Sequence, residues 1–220
     1  MKPIRRTRTP RNSMSIRDAF MGKRKAELTN TDFTLFSDDC FGGMLCSDLG
    51  LQFRSPTVSL RIYAADYVEF LENIHAYLSA DLIESRGEAD YPVGLLGGRV
   101  RLHFKHSGTF EEGAAAWRRR KERVHHGNII IKMSDLYDCS PELTRRFLAL
   151  PYPKIFFSAK PIDHPDVFFM PEYQQEGCVG AKWRRGSDGI RMFWKRFAFV
   201  AWLNARGALT VRDVINSSAR

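Results

Sequence analysis

Residues 37–43 read Ser-Asp-Asp-Cys-Phe-Gly-Gly, a thiol set directly behind two carboxylates and one residue ahead of two glycines. A catalytic cysteine needs its thiolate stabilised, an acid/base within reach, and backbone N–H groups that hold the oxyanion of an acyl intermediate. Cys40 meets the local half of that demand, because Gly42 and Gly43 let the backbone approach a ligand with no Cβ in the way. Asp38 and Asp39 work against it, since neighbouring carboxylates disfavour a thiolate. The alternative is a tight glycine turn with Cys40 packed as a small hydrophobe. His106, at the end of "RVRLHFKH", is the partner the sequence offers as base, and Asp135, at the end of "NIIIKMSD", is the third candidate catalytic residue.

Other groups suit binding. Asp38, Asp39 and Asp135 are oxygen ligands that would hold a hard cation against a diphosphate. Arg119 and Arg120 in "WRRRKERV" offer bidentate guanidinium groups to a phosphate, or else form a solvated helix face. Ser55 and Thr57 in "SPT" enter the next segment, with the Thr57 hydroxyl available to a site. His103 and His106 point to opposite faces of a strand, and adjacent His125 and His126 share that defect, so no catalytic metal is expected.

The elements that position these residues follow from periodicity. Thr57–Tyr63 alternates and predicts a strand with Val58, Leu60 and Ile62 on its buried side. Residues 65–78 carry apolar side chains at helical spacing behind Asp66, where a carboxylate suits the helix dipole. Residues 99–105 alternate again, and by that parity His106 follows the Phe104 side. Thr109 with Glu112 is a capping box that starts a basic helix, with Phe110, Ala114, Trp117 and Val124 along one stripe. "NIIIKMSD" reads as a buried strand, "SPELTRRFLAL" as a helix with Pro141 at its first position, and "KIFFSA" as another strand. Strand, helix and strand in alternation predict an α/β fold: a layered, mostly parallel sheet flanked by helices, with sites beyond the carboxyl ends of the strands. Asp38–Gly43, His106 and Asp135 all follow apolar strand runs. An irregular Pro-rich part begins near Pro161, and "DGIRMFWKRFAFVAWLNARG" predicts a final helix ending near Gly207 and packed under the sheet.

At 220 residues, 44% hydrophobic and 12% aromatic, the chain has the material for one sizeable core, which excludes a disordered or fibrous class. No apolar run approaches the roughly 20 residues of a membrane-spanning helix, and the N-terminus lacks the apolar stretch of an export signal. A cytoplasmic protein, at most peripheral to the inner membrane, is expected. Four cysteines without a Cys-x-x-Cys pair argue against structural zinc or a disulfide framework. Of the net charge of +9, +7 falls in residues 1–27, so no specific nucleic-acid partner is expected. The organisation expected is a basic, disordered tail over 1–29, one α/β domain over 30–207 and an extension over 208–220.

Together, "SDDCFGG", "DLGLQFRSPTVSL", "LHFKHSGTFEEGAAAWRRRKERV" and "NIIIKMSD" resemble a bacterial family linked with exopolysaccharide and capsule biosynthesis, domain of unknown function 1919. The resemblance covers about residues 30–206. Cys40, Gly42, Gly43, Ser55, Pro56, Thr57, His106, Trp117, Arg119 and Arg120 occupy positions that match the family pattern. Where this chain has Asp38 and Asp39 the family often has asparagines, and where it has Ser107 a tyrosine, which implies different ligand contacts there. The resemblance implies a role on a polysaccharide or a lipid-linked sugar precursor. Three readings stay open: an acyltransferase using Cys40 and His106 with a coenzyme A thioester donor, a sugar or sugar-phosphate transferase using the Asp and Arg residues, and a non-catalytic assembly protein.

Overall fold

The computed structural model describes residues 15–180 and 185–218. Four strands, β1 (Thr34–Ser37), β5 (Ile129–Ser134), β6 (Lys154–Ser158) and β7 (Val167–Phe169), form a parallel sheet in the order β1-β5-β6-β7. A separate antiparallel meander, β2 (Leu82–Ser85), β3 (Val93–Leu96) and β4 (Val100–His103), lies between the first two of these in sequence. The α/β class expected from the sequence is therefore present, with an antiparallel layer added to it.

The parallel sheet is covered on both faces, as continuous apolar strands require. Period-two alternation divides the strand residues between two cores. Leu35, Ile130, Ile155 and Phe157 face one core with α1 (Ile16–Glu27), α2 (Phe41–Leu49), α7 (Met192–Arg196), α8 (Phe199–Asn204) and α9 (Val211–Ser218). Phe36, Ile131, Met133 and Phe156 face the other, with α3 (Ala64–Glu72), α4 (Ile74–Ser79), α5 (Phe110–Lys121), α6 (Pro141–Ala149) and the inner side of β4.

The capping box on α5 forms as its sequence predicts, with Thr109 Oγ1 accepting from the Glu112 N–H and the Glu112 carboxylate accepting from the Thr109 N–H. Four expectations are corrected. Residues 16–27, expected within the disordered tail, fold as α1: Ser15 caps the helix, Met21 is buried, and Arg17 pairs with buried Asp48 at 3.0 Å. Residues 1–14 lie outside the described part. The helix expected over 65–78 is two helices, because Asn73 leaves helical geometry (φ −132°). The last helix is likewise divided at Phe197, whose extended backbone (φ −146°, ψ 141°) lets aromatics of α7 and α8 both turn inward: Phe193 and Phe199 meet at 5.6 Å between ring centroids. A single helix would bury one stripe only. Within the expected extension, Val211 and Val214 of α9 are buried in the same core.

The fourth correction concerns the site. Thr57–Tyr63 alternates like a strand but forms a turn, with Ser59 in the left-handed region (φ 67°) and Arg61 alone bridging to His103. Side-chain hydroxyls win over ladder pairing here. Ser55 Oγ accepts from the Thr57 N–H at 3.2 Å, and Thr57 Oγ1 accepts from the Ser37 N–H at 3.1 Å. Among the described residues no helix is long and apolar enough to cross a membrane.

Candidate active site

The register Ser37↔Lys132 sets Lys132 beside the carboxyl end of β1. Its parity with Ile130 turns it toward α2, where its ammonium lies 5.5 Å from the Phe41 ring centroid and 5.4 Å from that of Phe157. A fully buried lysine in hydrocarbon is tolerated only if paired. Here Nζ donates to Asp38 Oδ1 at 2.7 Å, Asp39 Oδ1 at 2.9 Å and Ser134 Oγ at 3.2 Å. Burial by itself would push the Lys132 pKa down; the Asp38 and Asp39 charges outweigh it and hold it above the usual ammonium value. Beneath them, burial and then the same carboxylates raise the Tyr67 phenol well above its usual range.

This triad anchors the turn that carries Cys40. Asp38 Oδ2 accepts from the Ser134 hydroxyl at 2.9 Å, and Asp39 Oδ1 accepts from the Phe41 N–H at 2.9 Å, so Asp39 satisfies the first amide of α2. Cys40 occupies the N-cap position and makes no side-chain capping bond. The glycines serve packing: a Cβ on Gly42 would stand 3.1 Å from Ser37 Cβ, and one on Gly43 3.0 Å from Val58 Cγ1. Their absence brings α2 down onto β1 and onto the 55–60 turn, and leaves the Gly42 and Gly43 N–H groups at the open end of the helix.

His106 arrives through a chain of backbone bonds. Arg61 and His103 exchange N–H···O contacts at 3.1 and 3.0 Å, and the Ile62 N–H donates to the Asp38 carbonyl at 3.0 Å. β4 is thereby tied to the Cys40 turn. The strand ends at His103, so His106 is placed by the following turn and not by strand parity; the Ser107 N–H closes that turn on the Phe104 carbonyl at 3.0 Å. The result is Cys40 Sγ 3.2 Å from His106 Nε2.

Cys40 and His106 open onto a cavity of about 360 Å³ lined also by Asp39, Leu60, Arg61, Lys105 and Tyr137. Arg61 stacks over the Tyr137 ring at 4.6 Å and Lys105 over Tyr91 at 4.8 Å. Among the described residues neither cation has a carboxylate partner, so the wall favours an anionic ligand. Burial, followed by Asp39, pushes the Tyr137 phenol up to about 12, which keeps it a neutral donor at ordinary pH. Tyr137 and Asp138 both take left-handed backbone (φ 59° and 61°).

The expected convergence of Cys40, His106 and Asp135 is met by the first two only. Asp135 lines a different cavity, where its carboxylate accepts from the Ala159 and Val179 N–H groups, each at 2.6 Å. Asp38 is buried beneath the turn, and Ser55 and Thr57 are buried and bonded to each other at 2.9 Å; none of the three lines the Cys40 cavity. Nor do the arginines of α5. Trp117 and Ala114 face the core, Arg119 is exposed, and Arg120 turns to the rear of the site, donating to the Val58 carbonyl at 2.7 Å. Arg61, Lys105, Tyr137 and Lys132 were not singled out from sequence. Only Lys132 carried a signal, a lone charge inside the apolar run "NIIIKMS". Among the described residues no group of three His, Cys, Asp or Glu is placed to hold a metal.

Comparison with known proteins finds similarity to a family and to a bacterial protein. A family model described as Domain of unknown function (DUF1919) matches residues 12–204. An uncharacterized protein of Haemophilus influenzae is 28% identical over 180 residues, which span 81% of this chain and 87% of that protein.

Proposed function

The chain belongs to the DUF1919 family, and we propose that it is an acyltransferase of exopolysaccharide or capsule biosynthesis with Cys40 as nucleophile and His106 as base. The observation that carries the chemistry is the 3.2 Å contact between Cys40 Sγ and His106 Nε2 at the start of α2. The polysaccharide assignment rests on the motif resemblance.

In the proposed cycle the Cys40 proton passes to His106 Nε2 and the sulfur attacks the carbonyl carbon of an acyl thioester, such as that of coenzyme A. The Gly42 and Gly43 N–H groups stabilise the resulting oxyanion. As the donor's carbon–sulfur bond breaks, its thiolate takes the proton from His106, leaving an acyl-Cys40 thioester. A sugar hydroxyl then gives its proton to His106 and attacks that thioester, the ester forms, and the proton returns to Cys40. Arg61 and Lys105 hold the anionic portion of donor or acceptor. The alternative, a sugar-phosphate transferase working through carboxylates and the α5 arginines, has less behind it, since Asp38 and Asp39 are engaged by Lys132 and Arg119 and Arg120 lie outside the cavity.

Incubation with [14C]acetyl-coenzyme A and acid quenching should give a labelled thioester mapped to Cys40 and absent from Cys40→Ala. No label on Cys40, together with undiminished in-cell polymer acylation by Cys40→Ala, would remove the reading.

A further inference from the structure

A second cavity, of about 700 Å³, lies beyond the carboxyl ends of β5 and β6 and has no part in the chemistry just described. Its volume falls in the range of small-molecule sites. Leu148, Phe156, Pro161 and Ile162 provide an apolar lining. Lys160 and His164 bring donors to it, and Asp135 and Asp163 are its acidic groups. Lys160 has no ion-pair partner among the described residues. His164 Nδ1 accepts from the Asp166 N–H at 3.1 Å, so the neutral ring carries its proton on Nε2, directed away from that bond.

The acidic groups are already satisfied. Asp135 accepts from the amides of Ala159 and Val179 and from the Ser158 hydroxyl at 3.3 Å, and Asp163 pairs with Arg212 at 2.6 Å. Asp135 therefore builds the cavity: one carboxylate pins the Ser158–Lys160 segment and the Val179 segment together. With Asp135 engaged by amides, an apolar lining beside an unpaired ammonium and a ring N–H favours an anion over a cation and gives a neutral alcohol no charge to pair with. We infer that this cavity is a binding site for a small amphipathic anion, an aliphatic carboxylate or phosphate monoester, with the chain against Leu148 and Ile162 and the charge at Lys160. The segment 135–140 separates it from the Cys40 cavity, Asp135 and Cys139 facing one side and Tyr137 the other. The inference does not depend on acyl transfer.

Isothermal titration of the full chain with octanoate, octyl phosphate and, as neutral control, 1-octanol tests it. One saturable site for at least one of the two anions is expected, with 1-octanol binding at least about tenfold more weakly. Lys160→Glu should weaken the anion about tenfold or more, and so should Ile162→Glu; both positions are exposed, so the fold tolerates the changes, which melting curves verify. Cys40→Ala should bind as the parent does. Absence of saturable binding by both anions, equal affinity for 1-octanol, or indifference to Lys160→Glu overturns the inference. Loss of binding in Cys40→Ala would do so too, since it would move the ligand to the other cavity. Failure of thioester labelling at Cys40 would leave this site standing.

Discussion

Lys132→Met isolates the electrostatic support beneath Cys40. The lysine is fully buried, its ammonium meets two carboxylates at 2.7 and 2.9 Å, and those carboxylates are themselves 1% and 3% exposed. Methionine keeps the hydrocarbon bulk between Phe41 and Phe157 and removes the charge. Three hydrogen bonds from the ammonium are lost, the two to carboxylates worth about 1.5–3 kcal/mol each, and two adjacent carboxylates lose the buried ammonium they share. Breaking a buried pair in this way costs about 3–5 kcal/mol. For a chain of this length each kcal/mol moves Tm by about 2–4 °C, so the midpoint should fall by about 6–20 °C.

The loss should also depend on pH. With the ammonium gone, at least one carboxyl holds its proton in the folded state above the ordinary carboxylate range, so the folded state binds more protons than the unfolded one and stability falls as pH rises. Thermal and urea melts of parent and variant at pH 5 and pH 8 measure this, and the deficit should be the larger at pH 8. Adding Asp38→Asn should recover part of it, because one carboxylate fewer then needs compensation. A deficit below about 1 kcal/mol at pH 8, the level of an exposed ion pair, would refute the reasoning, and so would equal deficits at the two pH values.

His106→Asn should slow acylation of Cys40 by about 10²–10⁴-fold while leaving the exposed turn within about 0.5 kcal/mol of parental stability, read by quenched-flow mass spectrometry beside a urea melt; an unchanged rate removes His106 as the base. Gly113→Ala, although alanine is the better helix former, places a methyl against the Phe104 ring and should destabilise by about 1–3 kcal/mol; a stabilised variant would show that the ring yields freely. His103 sits between Tyr63 and Tyr91, at 4.8 and 5.8 Å, with neither ring nitrogen hydrogen-bonded among the described residues, and burial holds its pKa below the ordinary imidazole value. The unfolded chain therefore takes up the proton first, so this stability is present above about pH 6.5 and is lost as pH falls from there through the folded-state pKa. His103→Phe should flatten that decline between pH 7 and pH 5, and an unaltered slope would assign it to other groups.

What the sequence by itself determined is local. Continuous apolar runs marked β5 and β6 as strands, alternation marked β4, Thr109 and Glu112 set the start of α5, and Ser140 with Pro141 set the start of α6. These depend on hydrogen bonds and side-chain spacing within a few residues, which the order of residue types expresses directly. The pairing of Cys40 with His106 was legible as a choice of candidates, because thiol and imidazole chemistry is written in residue type. Their 3.2 Å contact was not, since it depends on the Arg61 and His103 backbone bridge across the other sheet. Only the tertiary structure decided where charge is neutralised. Asp38 and Asp39 read as ligand groups until Lys132, more than ninety residues away, meets them. Asp135, also at a strand's carboxyl end, is separated from Cys40 by the turn of its own segment and consumed by amides of two others. Thr57–Tyr63 failed as a strand for the same reason: its alternation is real, but the Thr57 hydroxyl has a backbone partner at Ser37, and a side-chain bond of that kind is invisible until distant segments are brought together.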